Sequence, residues 1–167
     1  QIDLQKARNF PEVISDFLGW CGDDPSFCTW GPSDLMELQR NLAYHQLPIP
    51  FPFPFLYYDI QKIFSIVYED RRTRRSLEFA VDFLKIPKDV AFHSALSDAH
   101  YTSEIMQHLT RTQIEQNSSV DYFHTPDNRR SEIHLRYATY TKYISKPFVS
   151  KVQAMKDRIV VSMPCCT

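Results

Sequence analysis

A histidine and an aspartate stand five positions apart in the segment FHSALSDAHYTSEIMQHL, residues 92–109. His93 precedes a stretch whose apolar residues have helical spacing, and Asp98 falls within the first turns of that stretch. An imidazole can exchange a proton near neutral pH, whereas a carboxylate at a helix start can cap the helix, complement its dipole or bind a hard cation. A His-x4-Asp pair recurs by chance, so the pair alone does not choose between these roles.

A second aspartate has a similar setting. Asp34 lies in FCTWGPSDLMELQRNL, where a short apolar run is followed by a Gly-Pro turn and a helical pattern. The sequence therefore predicts a carboxylate at a helix start directly after a strand. A cap or a dipole partner is the ordinary role for such a residue when it is considered singly.

The composition is that of a folded protein. The 167 residues fit one domain with a short extension, and 43% are hydrophobic, which is enough for a buried core. The formal net charge of −1 gives no overall signature of nucleic-acid binding, so any such binding must use a local patch. No apolar run approaches the ~18 residues that a membrane span needs.

The cysteines suggest a reducing compartment. Cys21, Cys28, Cys165 and Cys166 match neither a disulfide framework nor a zinc signature, so we expect a cytoplasmic protein. An alternative is that the last two begin a metal-binding tail. The N-terminal QIDLQKARNF has no initiator Met and no apolar signal core, and we expect the sequence to begin inside a longer protein.

Apolar spacing predicts the order α, β, α, β and then three more helices, which favours an α/β fold. The predicted strands are residues 26–30 and 55–59. The predicted helices are residues 10–22, 32–47, 60–70, 76–86 and 95–109. Residues 48–55 alternate Pro and Phe, which indicates a rigid extended connection in preference to a ligand for an SH3-like domain. Two parallel strands bury too little by themselves, so further strands must come from elsewhere.

Residues 93–99 form the pattern His-x-Ala-x-x-Asp-Ala. This pattern resembles the third motif of the DEDDh 3′→5′ exonucleases, a family of the ribonuclease H-like superfamily. Three further segments resemble that family in the same order and extend the likeness over about residues 10–115. They are FCTWGPSDLMELQRNL, which resembles the second motif, then LYYDIQKIFSIV and RRSLEFAVDFLKIPKD.

The resemblance implies a ribonuclease H-like α/β fold and a metal-dependent hydrolase that removes nucleotides from single-stranded RNA or DNA 3′ ends. It implies that His93 is the general base and that Asp34 and Asp98 bind two Mg²⁺ or Mn²⁺ ions ~4 Å apart. Residues 1–116 would be the C-terminal portion of the exonuclease domain, and residues 117–167 a C-terminal extension.

The chain departs from the family in one respect. The family's first motif is an Asp-x-Glu on the first strand, and no Asp-x-Glu occurs in this sequence. We therefore expect the first three strands to be missing and the chain by itself to hold its metals weakly. The rival interpretation is a non-catalytic nucleic-acid-binding or regulatory module on a truncated exonuclease scaffold.

The nucleic-acid contacts are left open by the sequence. The basic run RRTRR, residues 71–75, could bind phosphates, although a solvated surface is the more common role of a charge run. Trp30, Phe92 and Tyr101 are candidate platforms for unstacked bases. Asp59 is expected to cap the following helix, with a polar contact near the site as the alternative. The aromatic and basic residues of 135–148 are expected to form a packing helix, with a strand-binding flap as the alternative.

Overall fold

The computed structural model describes residues 7–51, 54–121, 123, 125–137 and 141–162. The chain folds into two compact units, of which the first is Gln1–Asp121 and the second is Tyr122–Thr167. Cys165 and Cys166 lie outside the described residues, so the role of the tail stays a prediction.

The first unit contains six helices and three strands among its described residues. In chain order they are α1 (Phe10–Cys21), β1 (Cys28–Thr29), α2 (Ser33–Tyr44), β2 (Leu56–Asp59), α3 (Ile60–Tyr68), α4 (Leu77–Phe83), α5 (Ala95–Gln107), α6 (Arg111–Glu115) and β3 (Ser119–Val120). The predicted order from α1 to α5 is confirmed, and the architecture is mixed α/β.

The sheet has the strand order β1-β2-β3. The first two strands are parallel, with Cys28 opposite Tyr58, whereas β2 and β3 are antiparallel, with Leu56 opposite Val120. Strand β3 was not among the predicted strands, and both of its side chains are buried. Within the described residues β1 pairs only with β2, so it forms one edge of the sheet.

The helix ends are fixed by local hydrogen bonds. The Asp59 carboxylate accepts a hydrogen bond from the Lys62 backbone N–H at 2.9 Å, which confirms its role as the N-cap of α3. Helix α4 ends at Phe83, before Pro87, and Lys85 takes a left-handed φ of 57°.

The main core lies between α3, α4 and α5. Its fully buried side chains include Phe64 on α3, Val81 on α4, and Tyr101 and Ile105 on α5. Helix α5 buries Thr102 and Ile105, and Leu109 just beyond its end is also buried. Ala95 and Ala99 are exposed, and they line a cavity.

The second unit contains an antiparallel hairpin. Its elements are a 3-10 turn at Arg129–Ser131, β4 (Ile133–Arg136), β5 (Thr141–Ile144), α7 (Lys151–Ala154) and α8 (Arg158–Ser162). The packing helix expected from residues 135–148 was therefore wrong at 135–136 and 141–144, where Thr, Tyr and Ile favour a strand. Tyr140 lies outside the described residues.

A polar network stabilises this hairpin unit. The Glu132 carboxylate accepts a hydrogen bond from the Tyr143 hydroxyl at 2.8 Å, and Arg129 forms an ion pair with Asp157. Burial and the hydrogen bond to Glu132 raise the pKa of Tyr143 to about 12. None of the described helices has the length and apolarity required to cross a lipid bilayer.

Candidate functional site

Asp34 and Asp98 lie on the wall of one cavity of about 600 Å³ in the first unit. The cavity is formed where the end of β1 meets the N-terminal turns of α2 and α5. Thr29 and Trp30 belong to its wall on the β1 side, and Thr102 on the α5 side. The two carboxylates that were singled out from the sequence therefore share one site, although they come from different helices.

The turn after β1 places Asp34. The Thr29 hydroxyl donates a hydrogen bond to the Gly31 carbonyl at 2.6 Å, and Gly31 has a φ of 96°, which residues with a Cβ rarely adopt. A Cβ at Gly31 would also lie 3.3 Å from the Gln61 side-chain oxygen. Helix α2 starts directly after this turn, and Asp34 is its second residue.

The N-terminus of α5 is capped by Ser94 and Ser97, and not by Asp98. Ser94 accepts a hydrogen bond from the Ser97 backbone N–H at 3.2 Å, and the Ser97 side chain accepts one from the Ser94 backbone N–H. Helix α2 has Pro32 at its N-cap and no side-chain cap at all. Neither Asp34 nor Asp98 therefore serves as an N-cap, which was the ordinary role for a helix-start aspartate.

The two carboxylates repel each other. Partial enclosure in the cavity raises the pKa of Asp34, and the negative charge of Asp98 raises it further. Across the described part of the chain, neither side chain has a hydrogen-bond donor or a cation as a partner. Two carboxylates that share a cavity wall without such partners favour the binding of a proton or a cation.

His93 lies outside this wall, on the loop that precedes α5. Its side chain is exposed, and its φ of 73° is in the left-handed region. The residues on either side are held in place, because Phe92 stacks on Tyr101 at a centroid distance of 4.5 Å and Ser94 caps α5. The role of His93 as a general base stays a prediction that requires a change in its side-chain position.

The carboxylates of Asp34 and Asp98 fit the binding of one divalent ion better than the binding of two. In the described ranges, no group of three or more His, Cys, Asp and Glu side chains is placed to hold a metal ion. Mg²⁺ is commonly held by one or two carboxylates together with water and substrate phosphates, and Asp34 with Asp98 meets that requirement. A centre with two ions needs more carboxylates than this cavity contains.

The three aromatic residues that were candidate platforms for bases differ in their burial and in their position relative to the cavity. Trp30 lines the cavity, whereas Tyr101 is fully buried and its hydroxyl donates to the Val90 carbonyl at 2.7 Å. Phe92 is half-buried against Tyr101. The position of Trp30 directly after β1 was the signal in the sequence, since that position is next to the turn that carries Asp34.

Comparisons with protein-family models, with curated proteins and with solved structures found no match to this chain.

Proposed function

We propose that this chain is part of a metal-dependent 3′→5′ exonuclease of the DEDDh type, with a ribonuclease H-like fold. The observation that carries the proposal is the meeting of Asp34 and Asp98, without partners among the described residues, in one cavity at the end of β1. These are the two carboxylates that the resemblance designates as metal ligands.

In this proposal Asp34 and Asp98 hold a divalent cation, Mg²⁺ or Mn²⁺. When bound there, such an ion supplies charge stabilisation for a phosphodiester group and lowers the pKa of a bound water. The Asp34 and Asp98 side chains orient the ion, and the wall of the cavity limits the water around it. Two further carboxylates are required for a two-ion centre. A strand that carried them could pair with the edge of β1 that has no neighbouring strand among the described residues.

His93 accepts the proton of the attacking water. An imidazole exchanges protons near neutral pH, which suits that role. The exposed loop position allows the imidazole to turn toward the cavity, while the anchored neighbours Phe92 and Ser94 keep the movement local.

The experiment is a degradation assay of the full-length protein on single-stranded RNA and DNA oligonucleotides that carry a 5′ label, with Mn²⁺ present. We expect products that shorten from the 3′ end. His93→Asn should lower the rate by roughly 10²–10⁴-fold, the usual contribution of a general base. Asn is chosen because it tolerates the left-handed backbone of residue 93, whereas Ala would add strain. An unchanged rate in His93→Asn would remove the assigned base.

The second candidate is a non-catalytic module that binds nucleic acid or regulates a nuclease. The observation that favours it is the absence of an Asp-x-Glu anywhere in the sequence. The same assay separates the two candidates, because a module of this kind retains the oligonucleotide without shortening it.

A further inference from the structure

Four exposed arginines stand together in the connection between α3 and α4. They are Arg71, Arg72, Arg74 and Arg75 in the segment RRTRR, residues 71–75, which we call the arginine loop. Glu69 and Asp70 precede it, so residues 69–75 have four positive and two negative side chains. The chain as a whole has a formal net charge of −1, so this loop is a local positive exception.

The backbone of the arginine loop is fixed by groups other than its guanidiniums. The Asp70 carboxylate accepts hydrogen bonds from the backbone N–H groups of Arg72 and Thr73 and from the Thr73 hydroxyl, at 2.7–2.9 Å. The Thr73 bonds are the main reason that the pKa of Asp70 is lowered to about 2. The Arg71 backbone N–H donates to the Ser65 carbonyl at 3.1 Å. The loop therefore presents its arginines from an ordered backbone.

Only one of the four guanidiniums has an anionic partner within the described residues. Arg75 pairs with Glu69 at 2.6 Å and lies over the Phe79 ring at 4.5 Å. Arg74 donates to the Arg71 carbonyl at 3.2 Å, which leaves its charge uncompensated. No carboxylate of the described chain lies within ion-pair distance of Arg71, Arg72 or Arg74.

The arginine loop ends beside the carboxylate cavity. The Arg75 carbonyl accepts hydrogen bonds from the Trp30 indole N–H at 3.2 Å and from the Gln61 amide at 2.8 Å. Trp30 also lines the cavity of Asp34 and Asp98, and so does Leu77, two residues after Arg75. The Trp30 side chain therefore contacts the arginine loop and also lines the cavity that contains the two carboxylates.

We propose that the arginine loop binds the phosphates of a single-stranded nucleic acid whose end enters the Asp34/Asp98 cavity. The inference rests on the proposed function, since it names the surface that holds the substrate of that site. Guanidinium groups are planar donors that match phosphate oxygens, and an indole can stack on an unpaired base. A run of phosphates keeps a strand beside the cavity even though the carboxylates there repel a lone anion.

The test is the salt dependence of binding, measured by fluorescence anisotropy on a labelled single-stranded 12-mer in EDTA. The variant carries Arg71→Gln, Arg72→Gln and Arg74→Gln. The loss of three phosphate contacts should reduce the magnitude of the slope of log K against log[salt] by about 2. The ratio of wild-type to variant affinity should therefore fall roughly 20-fold between about 50 mM and about 200 mM salt. A matched variant with Arg40→Gln, Arg130→Gln and Arg136→Gln has the same change in net charge and should keep the wild-type slope.

A third variant with Lys at residues 71, 72 and 74 should retain most of the slope, because it retains the charges. Thermal melting of all variants checks that each is folded. Equal slopes for the Arg71/Arg72/Arg74 variant and its matched control would overturn the proposal. So would wild-type binding of poly-glutamate as tight as that of the oligonucleotide.

Separate experiments test the arginine loop and the exonuclease site, so the failure of one proposal can be distinguished from the failure of the other. The binding assay in EDTA contains no metal, whereas the carboxylate site is tested by Mn²⁺ titration. Oligonucleotide binding that depends on the arginine loop, without Mn²⁺ binding at Asp34 and Asp98, would leave the loop as a strand-binding surface and refute the exonuclease. Mn²⁺ binding with an unaltered salt slope would refute the loop alone.

Discussion

The side chains of Asp34 and Asp98 lie on one cavity wall with no partner in the described part of the chain. Such an arrangement reduces the stability of the folded state, because the raised pKa of Asp34 means that folding disfavours its ionised form. Residues retained at the expense of stability are commonly found at binding sites. A cation bound by the two carboxylates would offset this cost.

Removal of the Asp34 charge should stabilise the protein at neutral pH. The folded state holds a proton on Asp34 up to a higher pH than the unfolded state, whose value is near 3.8, so the free energy of unfolding falls as the pH rises through that window. Asp34→Asn should therefore raise the Tm at pH 7 by about 1–2 °C, because solvent screening keeps the combined cost of burying the Asp34 charge and of its repulsion by Asp98 below ~1 kcal/mol.

The gain should vanish below the unfolded-state pKa of Asp34, where that carboxyl is protonated in the folded and in the unfolded state. The measurement is a set of thermal melts between pH 3 and pH 8 in EDTA. Glu104→Gln is the control, because it removes one charge from α5 outside the cavity wall. A lower Tm for Asp34→Asn at pH 7 would show that Asp34 has a stabilising partner.

At the scale of elements, the turn between β1 and α2 determines where Asp34 lies. Gly31→Ala should destabilise the protein by about 1–2 kcal/mol, since it forces a left-handed backbone on a residue with a Cβ and crowds Gln61. The measurement is urea unfolding. Gly19→Ala, in the exposed last turn of α1 with open space around the added Cβ, should instead stabilise by up to ~1 kcal/mol. Equal effects of the two substitutions would contradict this account of the turn.

The elements that could be predicted from the sequence are those with an apolar period. The helical spacing of residues 10–22 and 60–70 corresponds to α1 and α3, and the apolar runs before Asp34 and Asp59 correspond to β1 and β2. Strand β3 was missed because two residues have no period, and its pairing with β2 joins segments far apart in the chain. The hairpin of β4 and β5 was missed because its aromatic and basic residues fit a solvated helix face equally well.

The candidate site was partly predictable for a related reason. Asp34 and Asp98 were identified through motifs, and the structure places them together. The contribution of Ala95 and Ala99 to the cavity could not be predicted, because an alanine at helical spacing is as compatible with a core as with a cavity wall. The position of the arginine loop depends on the Trp30 hydrogen bond to the Arg75 carbonyl, which no local pattern encodes.

At the scale of the whole molecule, the charge is distributed unevenly although its sum is −1. The arginine loop and the carboxylate cavity are neighbours in the first unit, so positive and negative surfaces meet at Trp30. Such a pattern suits a polyanion that is held by its phosphates and presents one end to a cation. The second unit, Tyr122–Thr167, has its own hairpin and its own polar network.

Calorimetric titration of the full chain with Mn²⁺ measures whether Asp34 and Asp98 together bind a divalent cation. We expect one ion per chain, at least a tenfold loss of affinity in both Asp34→Asn and Asp98→Asn, and wild-type binding in Glu104→Gln. Mn²⁺ binding of equal strength in the wild type and in both aspartate variants, or no binding by the wild type, would contradict the proposed cation site.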